Sequence, residues 1–315
     1  MNRKERNQYV EQHLKDYLPQ EYQQSDVKVY EVNKKNGETK DGLVVREKGE
    51  GVSPILYLDT YDFSYPEETL QKIAQDYVDI LVNHQDMADM IREQLTQREE
   101  ILNRVTLRPI NRERNTVFLA DKPYIKLQDL AFYPVIEVNP YMACDITYEF
   151  CKSMHLSGKE VLEIATMNLM EQKPVIFSMA DVLFKENMIS AEEFQKSKAI
   201  PMYVITNSQK CFGAAHIINP NVMESLQNIF QGEFYILPSS VHELIAVDPK
   251  KFAQPDAEYV KMVQEVNRSE VAYEEQLSDH IYRYKNKKIG LEMYEAGDWY
   301  RHSIQISTPE KIPKR

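Results

Sequence analysis

Four residues in one short stretch have the side-chain types from which covalent chemistry is built: Ser239, Ser240, His242 and Glu243, within Leu237-Pro238-Ser239-Ser240-Val241-His242-Glu243-Leu244. A serine hydroxyl becomes a nucleophile when an imidazole takes its proton and a carboxylate orients that imidazole. Asp181, Glu243 and Asp279 are the carboxylates a fold would have to bring to His242. In an extended chain Ser240 and His242 share a face roughly 7 Å apart by strand rise. Direct proton transfer needs roughly 2.6–3.2 Å between heavy atoms. The stretch also lacks the flanking glycines of a strand–turn–helix nucleophile elbow. The competing reading is a polar bend whose hydroxyls and imidazole satisfy backbone groups. On that reading His242 is anchored by hydrogen bonds within the bend or to a neighbouring loop.

Other constellations are thinner. His242-Glu243 starts like the zinc motif HExxH, but Ala246 stands where the second histidine would be, so the helix-face ligand pair is missing. His84 with Asp86 and Asp89, and Asp279 with His280, are scattered candidates for metal ligands. No metal and no cofactor is expected. Asp59, Tyr61 and Asp62 sit in a tyrosine-rich loop and are candidates for holding a polar ligand. Asp62 or Ser64 equally suits capping of a helix opening on Glu67 and Glu68. Cys144, Cys151 and Cys211 are odd in number, without CxxC spacing, and read as free thiols used in packing.

The elements that must position these residues follow from the hydrophobic pattern. Apolar runs at Phe234–Leu237 and Leu244–Val247 predict two buried strands around the polar bend. Residues 2–18 predict an amphipathic helix. Val27–Val32 and Gly42–Val45 predict strands joined at Asn36-Gly37, since a tight turn with positive φ suits Asn and Gly. Pro54–Leu58 predicts a third strand, and Leu70, Ile73, Tyr77, Ile80 and Leu81 a long helix from Glu67. A further helix is expected near Asp86–Glu100 and a strand over Leu130–Val138. Beyond Cys151 the pattern predicts a helix around Val161–Met170, a strand over Pro201–Thr206, helix across Gly213–Phe230, a helix carrying Tyr259, Met262, Val263 and Val266, and a strand at Ile281–Tyr284. Helices and strands interleave without regular βαβ spacing, so the class is α+β, with mixed helices and small sheets in two similar halves, 1–150 and 151–307. A disordered tail is expected over 308–315.

Composition excludes several function classes. The chain has 315 residues, 43% of them hydrophobic, enough for a sizeable core. A net charge of -11 disfavours a nucleic-acid duplex as the main partner. Arg104, Arg108, Arg112 and Arg114 form a local basic segment, best read as a solvated charged face. No apolar run approaches a membrane span, and the N-terminus lacks the apolar core of a signal peptide. The nine glycines include neither GxGxxG nor GxxxxGK[ST], which disfavours dinucleotide and P-loop sites. With unpaired cysteines, a cytoplasmic location is expected.

Lys35-Asn36-Gly37, Tyr57-Leu58-Asp59, Asp129-Leu130-Ala131, Ala165 with Asn168, Met202 through Asn207, Gly213-Ala214-Ala215, Leu237 through Glu243, Met262 through Asn267 and Leu277-Ser278-Asp279 resemble the bacterial domain-of-unknown-function family numbered 5688. They span most of residues 5–285. A fainter similarity is to the YtpQ-like family, in which the stretch matching Ser239 to His242 lacks the serine pair. Neither resemblance implies a reaction or a cofactor. The expected function is therefore a binding or interaction module for an unidentified protein or small-molecule partner. The alternative is a hydrolase using Ser240 or Ser239 and His242 with a carboxylate; a nucleic-acid accessory role through the arginine segment is remoter.

Overall fold

The computed structural model describes residues 1–46, 53–94, 97–139, 142–197, 202–252, 254–301 and 305–306. The side chains of His84, Asp86 and Asp89 lie outside the described residues, as does the expected tail over 308–315. The chain is α+β and divides into two compact units, Met1–Gln97 and Arg98–Arg315. Residue 150 falls inside a helix of the second unit, Tyr148–Ser153.

The first unit is a three-stranded antiparallel sheet covered by helices. Strands β1 (Asp26–Asn33) and β2 (Thr39–Arg46) pair from Asp26↔Arg46 to Asn33↔Thr39, and β3 (Leu56–Tyr57) joins β2. The hairpin tip takes positive φ at Asn36 (58°) and Gly37 (79°), the conformation for which these two residues are suited. The helix Arg3–His13 opens with an Asn2/Glu5 capping box, which satisfies two otherwise free backbone donors. The long helix Pro66–Gln94 brings Leu70, Ile73, Ala74 and Tyr77 onto Val10, Leu14, Val27, Leu43 and Val45. At the centre of that core the Tyr77 hydroxyl donates to the Pro54 carbonyl (2.9 Å) and accepts from the Val45 N–H (2.9 Å). The tyrosine is fully buried with its polar end met. The helix expected near Asp86–Glu100 is in fact two elements: this helix runs on to Gln94, and a short one follows at Arg98–Asn103.

The second unit holds two antiparallel sheets. One contains β4 (Val105–Asn111), β5 (Ile125–Leu127), β6 (Leu130–Asn139) and β7 (Met142–Asp145). The other is built from β8 (Pro174–Ser178), β9 (Met202–Asn207), β10 (Phe234–Leu237), β11 (Leu244–Val247), β12 (Tyr282–Tyr284), β13 (Leu291–Glu295) and β14 (Asp298–Tyr300), in the order β14-β13-β12-β10-β11-β9-β8. A last strand, β15 (Gln305–Ile306), pairs with β5. The helix Asp256–Ser269 packs Tyr259 and Val263 onto Tyr235, Leu237 and Val247. The helix Gly158–Glu171, capped by Ser157 and Glu160, packs on β4 and β6.

The arginine segment departs from expectation. Its first half is β4, buried at every position, and Arg108 is only 7% exposed rather than solvated. The alternation of this strand is masked by Arg108 and Pro109. Proline is tolerated because β4 lies at a sheet edge, where a missing backbone donor costs no ladder bond. Among the described residues no helix is long and apolar enough to cross a membrane, and the three cysteines are free thiols.

Candidate functional site

The polar bend between β10 and β11 meets many of its backbone groups with hydrogen bonds, as a buried irregular segment requires. Residues 275–278 run antiparallel beside it: Val241 N–H donates to the Glu275 carbonyl (2.9 Å), Leu277 N–H to Ser239 (3.0 Å) and Ser278 N–H to Pro238 (3.1 Å). The Thr206 hydroxyl donates to the His242 carbonyl (2.9 Å).

The catalytic candidates take up positions different from those of a nucleophile and its base. Ser240 Oγ accepts the His242 backbone N–H at 3.0 Å. His242 Nδ1 accepts the Phe212 N–H at 3.2 Å, and its Nε2 faces Glu275 Oε1 at 3.2 Å. A Nδ1 that accepts must be unprotonated, so the neutral ring carries its hydrogen on Nε2 and donates it to Glu275. Ser240 and the His242 ring share no hydrogen bond. Ser239 is buried, and Glu243 sits half-buried at the foot of β11. Asp181 lies in the first turn of the helix Met179–Lys185. Asp279 accepts from Asn267 (2.7 Å) and pairs with Arg114. The carboxylate that does meet His242 is Glu275, which lies 33 residues along the chain and is not marked by any local pattern.

Phe212 connects the bend to the five-stranded sheet. It has a left-handed φ of 54°, a conformation a bulky residue rarely adopts. Its ring lies 5.2 Å from that of His242, and the Arg108 guanidinium sits 3.8 Å from its centroid on the other contact. The next residue, Gly213, approaches β9 so closely that a Cβ there would meet Thr206 Oγ1 at 2.5 Å. Only glycine permits that approach. Arg108 Nε and Nη2 are buried and have no hydrogen-bond partner among the described residues. The nearest carboxylate, Glu137 Oε1, is 3.9 Å from Nη2, beyond hydrogen-bond range. Burial raises the Glu137 carboxyl above its ordinary value against the opposing pull of Arg108. Glu137 forms part of the wall of a cavity of about 430 Å³, with Arg104, Thr106, Asn168, Glu171 and Gln172.

A second polar cluster is centred on Asp129, which is 2% exposed. It accepts from Ser278 Oγ (2.7 Å), His280 Nδ1 (3.2 Å) and the Tyr282 hydroxyl (2.5 Å). Burial alone would push this carboxyl up, yet the donors from His280, Tyr282 and Ser278 hold it below the ordinary carboxylate value. The hydrogen bond to Asp129 in turn raises His280, outweighing the burial that would lower it. Asn111 ties the same region to the bend's partner strand by donating to the Leu277 carbonyl (3.0 Å). His280, read from sequence only as a scattered metal candidate, is thus paired with Asp129; among the described residues no group of three or more His, Cys, Asp or Glu is placed to hold a metal ion.

The ligand candidates of the first unit are locally satisfied. Tyr61 and Asp62 line a cavity of about 440 Å³ with Tyr65, Glu68 and Lys72. The Tyr61 hydroxyl donates to Asp76 (2.6 Å), and Asp62 accepts both the N–H and the hydroxyl of Ser64. Asp59 accepts the Asp41 N–H (2.7 Å) and lies 3.7 Å from Arg6.

The polar bend, the Arg108–Phe212 contact and the Asp129 cluster all lie in the second unit of an α+β protein. The chain belongs to a family of unknown function, DUF5688, whose model matches residues 4–286. Neither a curated protein nor a solved structure matches it, and the YtpQ-like resemblance is not shown by these comparisons. Several segments that carry the family resemblance meet in these clusters: Asp129, Thr206, Gly213, Leu237 through Glu243, Asn267 and Leu277 through Asp279.

Proposed function

We propose that the chain is a ligand-binding protein that holds a small polar molecule in its second unit and performs no serine chemistry. The observation that carries this reading is the cavity lined by Arg104, Thr106, Glu137, Asn168 and Gln172, whose volume of about 430 Å³ suits a small molecule. Its walls are amide, hydroxyl and charged groups, so a polar occupant fits better than an apolar one. The engaged state of Ser240 and His242 argues against the hydrolase alternative. The free thiols fit the cytoplasmic location expected from the sequence. Native mass spectrometry of the full chain purified from its host tests the reading. A retained small molecule in both the parent and Ser240→Ala supports it. Ester or amide turnover by the parent that disappears in Ser240→Ala overturns it.

A second reading is favoured by the Asp129–His280 pair. A buried carboxylate sits on Nδ1 of the half-buried His280, and among the described residues Nε2 has no hydrogen-bond partner, the arrangement of a general base. On this reading a turnover would vanish in His280→Gln and survive in His242→Ala. The opposite pattern would exclude it.

A further inference from the structure

A guanidinium offers two parallel N–H groups along its Nε/Nη2 edge, and the two oxygens of a carboxylate match that spacing. Arg3 shows the match in full: its Nε and Nη2 donate to Asp41 Oδ2 (2.7 Å) and Oδ1 (2.9 Å). Arg108 presents the same edge under different conditions. It is 7% exposed, and both Nε and Nη2 are buried without a hydrogen-bond partner among the described residues. A buried guanidinium in that condition bears a desolvation cost that a second anion would offset. Phe212 lies against its face and fixes its plane, which leaves the edge as the place where an anion is accepted.

Glu137 is placed to be displaced rather than to serve as that anion. It lies 3.9 Å away, its side chain is 25% exposed, and among the described residues it makes no side-chain hydrogen bond that would hold it there. Glu137 borders the cavity and Arg108 does not, so Glu137 is the group that stands between the Arg108 edge and the cavity, and an anion in the cavity reaches that edge only when Glu137 pivots. Glu137 and Glu171 in the wall disfavour a doubly charged phosphate through like-charge repulsion. Asn168 Nδ2 donates to the Leu102 and Val105 carbonyls and Gln172 Nε2 to Thr106 Oγ1, so these side chains face the cavity chiefly as acceptors through their amide oxygens, which suits the N–H or O–H of an amino or hydroxyl substituent. We infer that the Nε/Nη2 edge of Arg108 receives the carboxylate of a small hydroxy- or amino-carboxylic acid held in this cavity. The inference rests on the ligand-binding reading above.

Isothermal titration of the full chain with sodium lactate, glycine, succinate and inorganic phosphate, at matched ionic strength, tests it. At least one carboxylate should bind saturably. Arg108→Met and Arg108→Lys should weaken that binding about tenfold to a hundredfold, since a lysine cannot reproduce the planar fork. Glu137→Gln should tighten it by removing a competing anion. If Arg108→Met does not fold, the other two variants carry the test. Unchanged affinity in Arg108→Lys, weaker binding in Glu137→Gln, or binding of phosphate alone overturns the inference. A host-purified molecule without a carboxylate, retained by Arg108→Lys, would overturn it while leaving the binding reading intact. No retained molecule and no response to any of the four probes would sink both.

Discussion

Arg3 and Arg108 are the same side chain in opposite circumstances, one in each unit. In the first unit the positive charges close on their own carboxylates. Arg3 and Arg6 both reach Asp41, Asp59 accepts the Asp41 N–H, and the Arg3 hydrogen bond holds Asp41 below its ordinary pKa. In the second unit Arg108 is deeper, yet its two edge nitrogens are unmet and its nearest carboxylate stands off at 3.9 Å. A closed network stabilises its own fold. A buried charge without a hydrogen-bonded partner costs stability, and is the pattern expected where a site is kept ready for something else.

The largest expected effect concerns a place in the second unit where a buried charge is as fully met as Asp41. Asp129→Asn removes the charge on which His280, Tyr282 and Ser278 converge. It should cost about 3–5 kcal/mol in chemical denaturation, the usual penalty for breaking a buried pair. A loss below about 1 kcal/mol would mean that the cluster does not anchor the unit.

A pH series sharpens the same point. His280 has a raised pKa in the folded state, so its contribution is full below its ordinary value of 6.5 and fades as pH climbs through the raised value. Asp129, with a lowered pKa, contributes above its ordinary value of 3.8 and loses that contribution only in stronger acid. His280→Gln should therefore be more destabilising at pH 6 than at pH 9. An equal loss at both values would show that the charged pair is not what matters.

The two arginine sites predict opposite signs. Asp41→Asn should destabilise by about 1–3 kcal/mol, because a buried acceptor of charged donors is weakened. Arg108→Met, measured without ligand, should leave the melting temperature unchanged or raise it, because an aliphatic chain replaces a poorly compensated charge. A fall as large as that of Asp41→Asn would erase the contrast between the units.

Effects of similar or smaller size are expected at the bend. His242→Ala should cost about 1–3 kcal/mol by orphaning the Phe212 N–H, and Ser240→Ala less, since water can meet the His242 N–H. Melts identical to the parent for both would reopen the nucleophile reading.

What could be read from the sequence follows the range of the forces involved. The Asn36-Gly37 turn, the runs flanking the bend and the helical faces at Leu70–Tyr77 and Tyr259–Val263 are local patterns, and the fold uses them as read. The strand β4 was hidden because an arginine and a proline in mid-run resemble a loop, and only its place at a sheet edge makes them acceptable. Asp129 sits in a two-residue hairpin tip between Leu127 and Leu130, where an aspartate is read as turn chemistry. Its partner His280 is 151 residues away, and no local period links them. The bend around Ser240 and His242 lies between the two strands its flanking apolar runs predict, but its hydrogen bonds to Phe212 and Glu275 depend on tertiary placement that spacing does not encode.

Arginine side-chain NMR of the full chain, titrated with the carboxylate that binds best, tests the central claim most directly because both arginines report in one experiment. The Nε–Hε resonance assigned by its absence in Arg108→Lys should shift saturably, while that of Arg3, already engaged by Asp41, stays in place. A binding carboxylate that leaves the Arg108 resonance unmoved would contradict the claim.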